Sequence, residues 1–244
     1  MVMANLKTNY MGLTLESPIV VGACSLSREI DSIKQIEAAG AGAVVLKSLF
    51  EEQIQLEQAE FETQLGQHDA LYAESVSLFP KMDHGGPNEH IFWVEQAKKA
   101  VSIPLIASLN AVNESTWLEY AKALAQTGVD GLELNFYSPP LNPETTALEI
   151  ESRELETFAK IREAVDIPIA VKLHPYYTNL FNVGTEFSKL GADALILFNR
   201  LFQPNIDIDK RTEKQGMSLS RSADSFFSLR WIGLLHQRVQ SDLI

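Results

Sequence analysis

This chain of 244 residues has a single cysteine, Cys24. No disulfide can form within it, and a cluster of thiolates around a metal is excluded. Cations are scarce as well: 20 Lys and Arg against 32 Asp and Glu leave a net charge of −12. Gripping a phosphate backbone needs concentrated Lys and Arg, so no nucleic-acid partner is expected. No apolar run approaches the roughly 20 residues of a bilayer span, and the N-terminus lacks the apolar stretch of a signal peptide. A membrane partner is therefore not expected, and the cytoplasm is the default location. His68, His84, His90 and His236 show no ligand spacing, so no metal site is expected either.

What is present is the composition of one globular domain over residues 1–244, 45% apolar and 21% charged. A repeat runs through it. Ala39-Gly40-Ala41-Gly42-Ala43 leads into Val44-Val45-Leu46-Lys47, and Gly128-Val129-Asp130-Gly131 into Leu132-Glu133-Leu134-Asn135. Gly191-Ala192-Asp193-Ala194 leads into Leu195-Ile196-Leu197-Phe198-Asn199. A second version, Val101-Ser102-Ile103-Pro104 and Val165-Asp166-Ile167-Pro168, opens Leu105-Ile106-Ala107-Ser108 and Ile169-Ala170-Val171-Lys172. Each copy is a buried strand ending on a polar or cationic side chain.

The coarse reading begins with an extended segment or hairpin over 6–16, turning at Gly12, and a first core strand at Ile19-Val20-Val21. Helices are expected near 29–39, 89–100, 115–127, 152–164, 179–190 and 226–240, alternating with the strands of the repeat. The stretches 48–88 and 200–222 depart from this rhythm, and loops of such length are usually functional or mobile. Alternating strands and helices imply right-handed βαβ units and an all-parallel sheet buried on both faces. Gly22-Ala23-Cys24-Ser25-Leu26 is not the Gly-rich fingerprint of an open dinucleotide-binding sheet. Polar strand tips suit a TIM-type (β/α) barrel, whose loops converge on one mouth. Six strands are found, about six of the eight βα units a barrel requires, and Asp242-Leu243-Ile244 stands where a seventh would begin. The expectation is a C-terminally incomplete barrel, or one whose edge another chain covers.

Lys47 and Lys172 each follow buried apolar residues at a strand end. They read as rim lysines whose stems snorkel, or as a pair flanking an anion or polarised ring. A desolvated Lys172 can also form a Schiff base. Asn135 and Asn199 end strands and Asn110 lies just beyond one; an amide offers both donors and acceptors, though Asn also caps loops. Ser138 sits in a Pro-rich loop with no Gly-x-Ser-x-Gly elbow around it, so a hydrolase triad is unsupported. His174 lies near the rim and reads as a catalytic or a packed histidine. Trp93, Trp117 and Trp231 fit helical core positions.

Together, Asn135-Phe136-Tyr137-Ser138-Pro139-Pro140, Val171-Lys172-Leu173-His174-Pro175 and Phe198-Asn199-Arg200 resemble the dihydroorotate dehydrogenase family. So do Pro18-Ile19-Val20-Val21-Gly22-Ala23 and Leu46-Lys47-Ser48, in order from about residue 6 onward. The resemblance implies a β/α barrel holding FMN and oxidising dihydroorotate to orotate in pyrimidine biosynthesis. It places Gly22, Ala23, Lys47, Ser48, Asn110, Asn135 and Lys172 at the flavin. Lys47, Asn135 and Asn199 fall at a small-molecule substrate, Ser138 at the catalytic base, and Lys47 is implied as a second catalytic residue. Lys172 would offset negative charge on the reduced ring. A cytoplasmic homo-oligomer is expected.

Departures from the family's soluble branch cluster at the substrate: Tyr137 and Pro140 replace Ser and Asn, and Arg200 replaces a small hydroxyl residue. The Asn-x-x-Gly-Leu motif expected after the second strand is absent, with Tyr72–Pro80 in its place. An altered substrate pocket follows. The family's phosphate-holding Gly-rich turns, after strands seven and eight, are not in this stretch. Two other readings stand beside the flavoenzyme: a barrel lyase using Lys172 as a Schiff base, and a truncated non-catalytic paralogue that folds only with a partner.

Overall fold

The computed structural model describes residues 5–50, 87–110, 113–136, 142–199, 205–214 and 221–244. The expected entry hairpin is there: β1 (Thr8–Tyr10) and β2 (Leu13–Leu15) pair antiparallel across Met11 and Gly12, both at positive φ. There follow β3 (Val20–Val21), α1 (Ile30–Ala38), β4 (Ala43–Val45), β5 (Leu49–Phe50) and α2 (Pro87–Ala100). Next come β6 (Leu105–Asn110), α3 (Glu114–Gln126), β7 (Gly131–Asn135) and α4 (Ala147–Ala164). The chain continues through β8 (Ile169–Leu173), α5 (Leu180–Lys189) and β9 (Ala194–Leu197). A short antiparallel pair, β10 (Asn205–Asp207) and β11 (Thr212–Lys214), precedes α6 (Ser225–Leu235) and β12 (Asp242–Leu243).

The main sheet runs β12-β9-β8-β7-β6-β4-β3, parallel throughout, with β5 also pairing along β6. Each of the six expected strands is occupied, and Asp242–Leu243 lies parallel to β9. Strand alternation then separates barrel from doubly wound sheet. Val44, Leu46, Leu105, Ala107, Leu132, Leu134, Val171 and Leu195 share one buried cluster with residues of all six helices among the described residues. Ala43, Val45, Ile106, Ala170 and Ala194 face the other way and share a second cluster with the hairpin residues Tyr10, Met11 and Leu15, with Leu13, Val20, Ala23 and Ile196 packed against it. A doubly wound sheet carries helices on both faces. Among the described residues they cover one face, and the hairpin plugs the concave side of a curled half-barrel.

The repeat is built from paired strand starts. Gly40, Gly128 and Gly191 leave their helices at φ of 89, 84 and 95°, the left-handed conformation that a Cβ disfavours. After Gly191, the Ala192 N–H returns to the Phe187 carbonyl, and Ala41 does the same to Ile36. The aspartates that follow grip the neighbouring strand. Asp130 Oδ2 accepts from the Leu105 N–H (2.7 Å) and from Lys98 Nζ (2.6 Å). Asp193 Oδ2 accepts from the Ile169 N–H (2.8 Å) and from Arg162 Nη1 (3.2 Å). In both copies the strand N–H follows a proline, and the cation comes from the helix that leads into that strand.

Two helix boundaries differ from expectation. α4 begins at Ala147 rather than Ser152, because Thr146 caps it: its hydroxyl accepts from the Glu149 N–H and the Glu149 carboxylate accepts from the Thr146 N–H. The last helix ends at Leu235 rather than Gln240, since His236 leaves the helix with ψ 131° and Gln237 takes a positive φ. Of the stretch 48–88, the part 51–86 lies outside the described residues, as do Ser138, Tyr137, Pro140 and Arg200.

Asp193→Ala should lower stability by about 2 kcal/mol, because it leaves the Ile169 N–H without its carboxylate and Arg162 without its counter-charge. The urea unfolding midpoint measures this, and a change within error would show that the carboxylate is not holding the strand.

Candidate active site

The concave face turns from apolar to polar along the strands. Ala43, Val45, Ile106, Ala170 and Ala194 pack low against the hairpin, whereas Ser108, Asn110, Glu133, Asn135 and Lys172 occupy the same face nearer the C-terminal strand ends. Lys47 is two residues beyond Val45, and Leu46 between them is buried among the helices, so alternation sets Lys47 on the concave side too. Asn135 and Lys172 are direct register partners across β7 and β8.

At the centre is a carboxylate. Glu133 is 2% exposed, and its Oε1 accepts from Lys172 Nζ at 3.1 Å and from the Ser108 hydroxyl at 3.3 Å. The Ser48 and Ser108 hydroxyls lie 2.6 Å apart, so with Ser108 donating to Glu133 the proton between the serines comes from Ser48. An unbroken polar chain thus runs from Ser48 through Ser108 and Glu133 to Lys172. Below it, burial raises the Tyr10 phenol above its ordinary range, with the charges of Glu133 and Asp242 adding to the effect. Glu133 was missed by sequence reasoning because it lies within an apolar run. The available signal was its parity with Asn135.

A second pair closes the site toward β9. Asn199 Nδ2 donates to Asn135 Oδ1 at 3.0 Å. This leaves the Asn135 amide group as donor and the Asn199 carbonyl as acceptor. Asn110 and Asn135 are buried, at 5% and 6% exposure, and Asn199 is half-buried. Gly22 is exposed, and a Cβ built on it would meet no atom within 4 Å. Ala23 packs at the edge of the concave cluster. The structure therefore links Ser48 with Lys172, and Asn135 with Asn199. Lys47, Gly22, Ala23 and Asn110 line the same rim from other strands, and Ser138 lies outside the described residues.

His174 is a packed residue. Its ring stacks on Tyr177 at 3.8 Å between centroids, and Nδ1 accepts from the Tyr176 N–H. Burial lowers its basicity. The Tyr177 hydroxyl donates to Glu154 Oε2 at 2.7 Å, tying the turn after β8 to α4. Desolvation pushes the Glu154 carboxyl up to about 7 despite that hydrogen bond. Among the described residues no group of His, Cys, Asp or Glu could hold a metal ion, and no helix is long and apolar enough to cross a membrane.

No family model matches the chain. It is 29% identical over 207 residues to dihydroorotate dehydrogenase A (fumarate) of Limosilactobacillus reuteri, covering 82% of this chain and 64% of that protein. It is 28% identical over 202 residues to the catalytic subunit of dihydroorotate dehydrogenase B (NAD(+)) of Methanocella arvoryzae, with the same coverage. The corresponding Methanothermobacter thermautotrophicus subunit is 27% identical, covering 87% of this chain and 67% of that protein. The chain thus spans a little under two thirds of the first two relatives. Among solved structures it superposes on phosphonopyruvate hydrolase with a TM-score of 0.46, at 16% identity, covering 75% of this chain and 58% of that one.

The raised Glu154 carboxyl makes stability depend on pH. The folded chain keeps a proton that the unfolded chain, at about 4.5, releases. Its contribution is therefore full below about 4.5 and is lost as pH rises through about 7, a decline on the order of 3 kcal/mol. Urea midpoints across this range should fall in the wild type and stay flatter in Glu154→Gln; matching profiles would assign the decline to other groups.

Proposed function

We propose that this chain, a divergent member of the dihydroorotate dehydrogenase family, is an FMN-dependent oxidoreductase acting on a small planar ring at the concave strand ends. One observation carries the reading. The inward polar positions of adjacent parallel strands gather a cation, Lys172, and an amide pair, Asn135 with Asn199, above an apolar floor. Those positions are also the ones the family motifs single out. Flavins bring the redox chemistry, and the protein supplies binding, orientation and electrostatics.

The residues present fit the ring end of a flavin. Gly22 leaves its strand tip open, Asn110 and Asn135 offer amide groups, and Lys47 and Lys172 offer positive charge on the same side. Bound FMN would accept the hydride released as dihydroorotate, or a close relative of it, is oxidised. Lys172 would stabilise the negative charge that results. The Asn135 amide group and the Asn199 carbonyl offer a donor and an acceptor side by side, matching an amide-type ring edge. Ser138 would take the proton from the carbon adjacent to the hydride donor. Tyr137, Pro140 and Arg200 favour a substrate whose substituents differ from those of dihydroorotate. The Lys172–Glu133 ion pair favours this charge role over a Schiff-base lyase, which needs a free amine.

Purified full chain should quench FMN fluorescence on titration and carry flavin absorbance. Asn135→Ala should weaken FMN binding about tenfold through lost hydrogen bonds. Ser138→Ala should retain FMN while slowing substrate-driven bleaching of the flavin by about 100-fold or more. A colourless protein that ignores added FMN would overturn the proposal, and borohydride trapping of a carbonyl substrate on Lys172 would replace it with the lyase.

A further inference from the structure

We infer that Glu133 is the positioning residue of this site, holding the Lys172 ammonium at the strand ends and setting the net charge presented to a bound ring. The inference rests on the flavin reading for its ligand, but on Glu133's own surroundings for its geometry. A carboxylate at 2% exposure on the concave face would normally be excluded from such a place unless paired. Its partner is Lys172 at 3.1 Å, whose own side chain is only 19% exposed. The Ser108 hydroxyl donates to the same oxygen, and Ser48 extends the network to the residue beside Lys47. One oxygen therefore orders groups from β6, β8 and the turn after β4. The Tyr10 ring of the hairpin plug lies near enough for the Glu133 charge to act on its hydroxyl.

The consequence is electrostatic. Lys172 is not an unopposed cation: a full negative charge stands behind it at hydrogen-bond distance. That charge partly cancels the attraction Lys172 exerts on a reduced, anionic ring. Glu133→Gln keeps the size of the side chain and an oxygen to accept from Lys172 and Ser108, but removes the charge. Lys172 then acts on the ring uncompensated, so reduced flavin is favoured over oxidised flavin.

The test uses the full chain with FMN. The flavin midpoint potential is measured by equilibrium dye reduction, and binding by fluorescence quenching. In Glu133→Gln, binding of reduced relative to oxidised FMN should tighten about tenfold, which is about 30 mV more positive for a two-electron couple. In Lys172→Met the potential should move the opposite way. A Glu133 that only fills space leaves the potential of the Gln variant unchanged, and an unchanged or lowered value overturns the inference. Thermal melts without flavin give the second reading. Each single variant should lower the melting temperature, and the Glu133→Gln, Lys172→Met double variant should lose less than the two losses combined. Strictly additive losses overturn the pairing whether or not flavin binds. A wild type that takes no FMN but shows the non-additive melts overturns the flavin reading while upholding Glu133 as the residue that positions Lys172.

Discussion

In a parallel strand successive side chains point to opposite faces, and in this chain that two-residue period divides structure from chemistry. Leu132 and Leu134 face the helices, and between and beyond them Glu133 and Asn135 face the concave side. The same division recurs in β8, where Val171 and Leu173 pack outward and Lys172 inward. A register slip of one residue would bury Lys172 and Glu133 among the helices and turn leucines to the mouth. Register is held at the strand starts, where Asp130 and Asp193, just ahead of β7 and β9, each seize the first N–H of the neighbouring strand, β6 and β8. The site at one end of the sheet thus depends on carboxylates at the other.

The inner carboxylate has a different task. Buried without partners, Glu133 would cost several kcal/mol. With Lys172 and Ser108 donating to one oxygen it instead becomes the anchor of a polar network. Below it the hairpin closes the floor with Tyr10, Met11 and Leu15. The Met11 N–H donates to Asp242 Oδ2 at 2.8 Å, joining the entry hairpin to β12 across the whole sequence. The plug keeps water from the apolar half of the concave face, and this strengthens the charges at the polar half.

Much of this was readable beforehand, and the reasons are local. Gly40, Gly128 and Gly191 marked helix ends because a left-handed turn there excludes most side chains. Continuous apolar runs marked strands covered on both faces. Polar tips marked the mouth, and Asn135 with Asn199 does form a hydrogen-bonded pair. What escaped was either masked by apolar neighbours or settled by a cap. Glu133 sits inside Leu132-Glu133-Leu134, where a charge looks like an interruption of a strand. The α4 start was signalled by Thr146 and Glu149, a capping box ahead of the first strongly periodic residues. His174 read as a packed histidine ahead of a catalytic one, and the stack on Tyr177 agrees with packing.

The alternation of the core strands and helices, the parallel sense of those strands and the polar tips at their ends follow from the amino-acid sequence alone, because hydrophobic periodicity and glycine sterics act within a few residues. Which face the helices cover, and which oxygen Lys172 pairs with, are matters of tertiary structure. They arise where residues 25 to 60 positions apart are brought within hydrogen-bond distance, as in Ser48 with Ser108, Ser108 with Glu133 and Glu133 with Lys172. The energy of a buried charge depends on neighbours that no local pattern names, and so the chemistry of this mouth was decided by packing across strands.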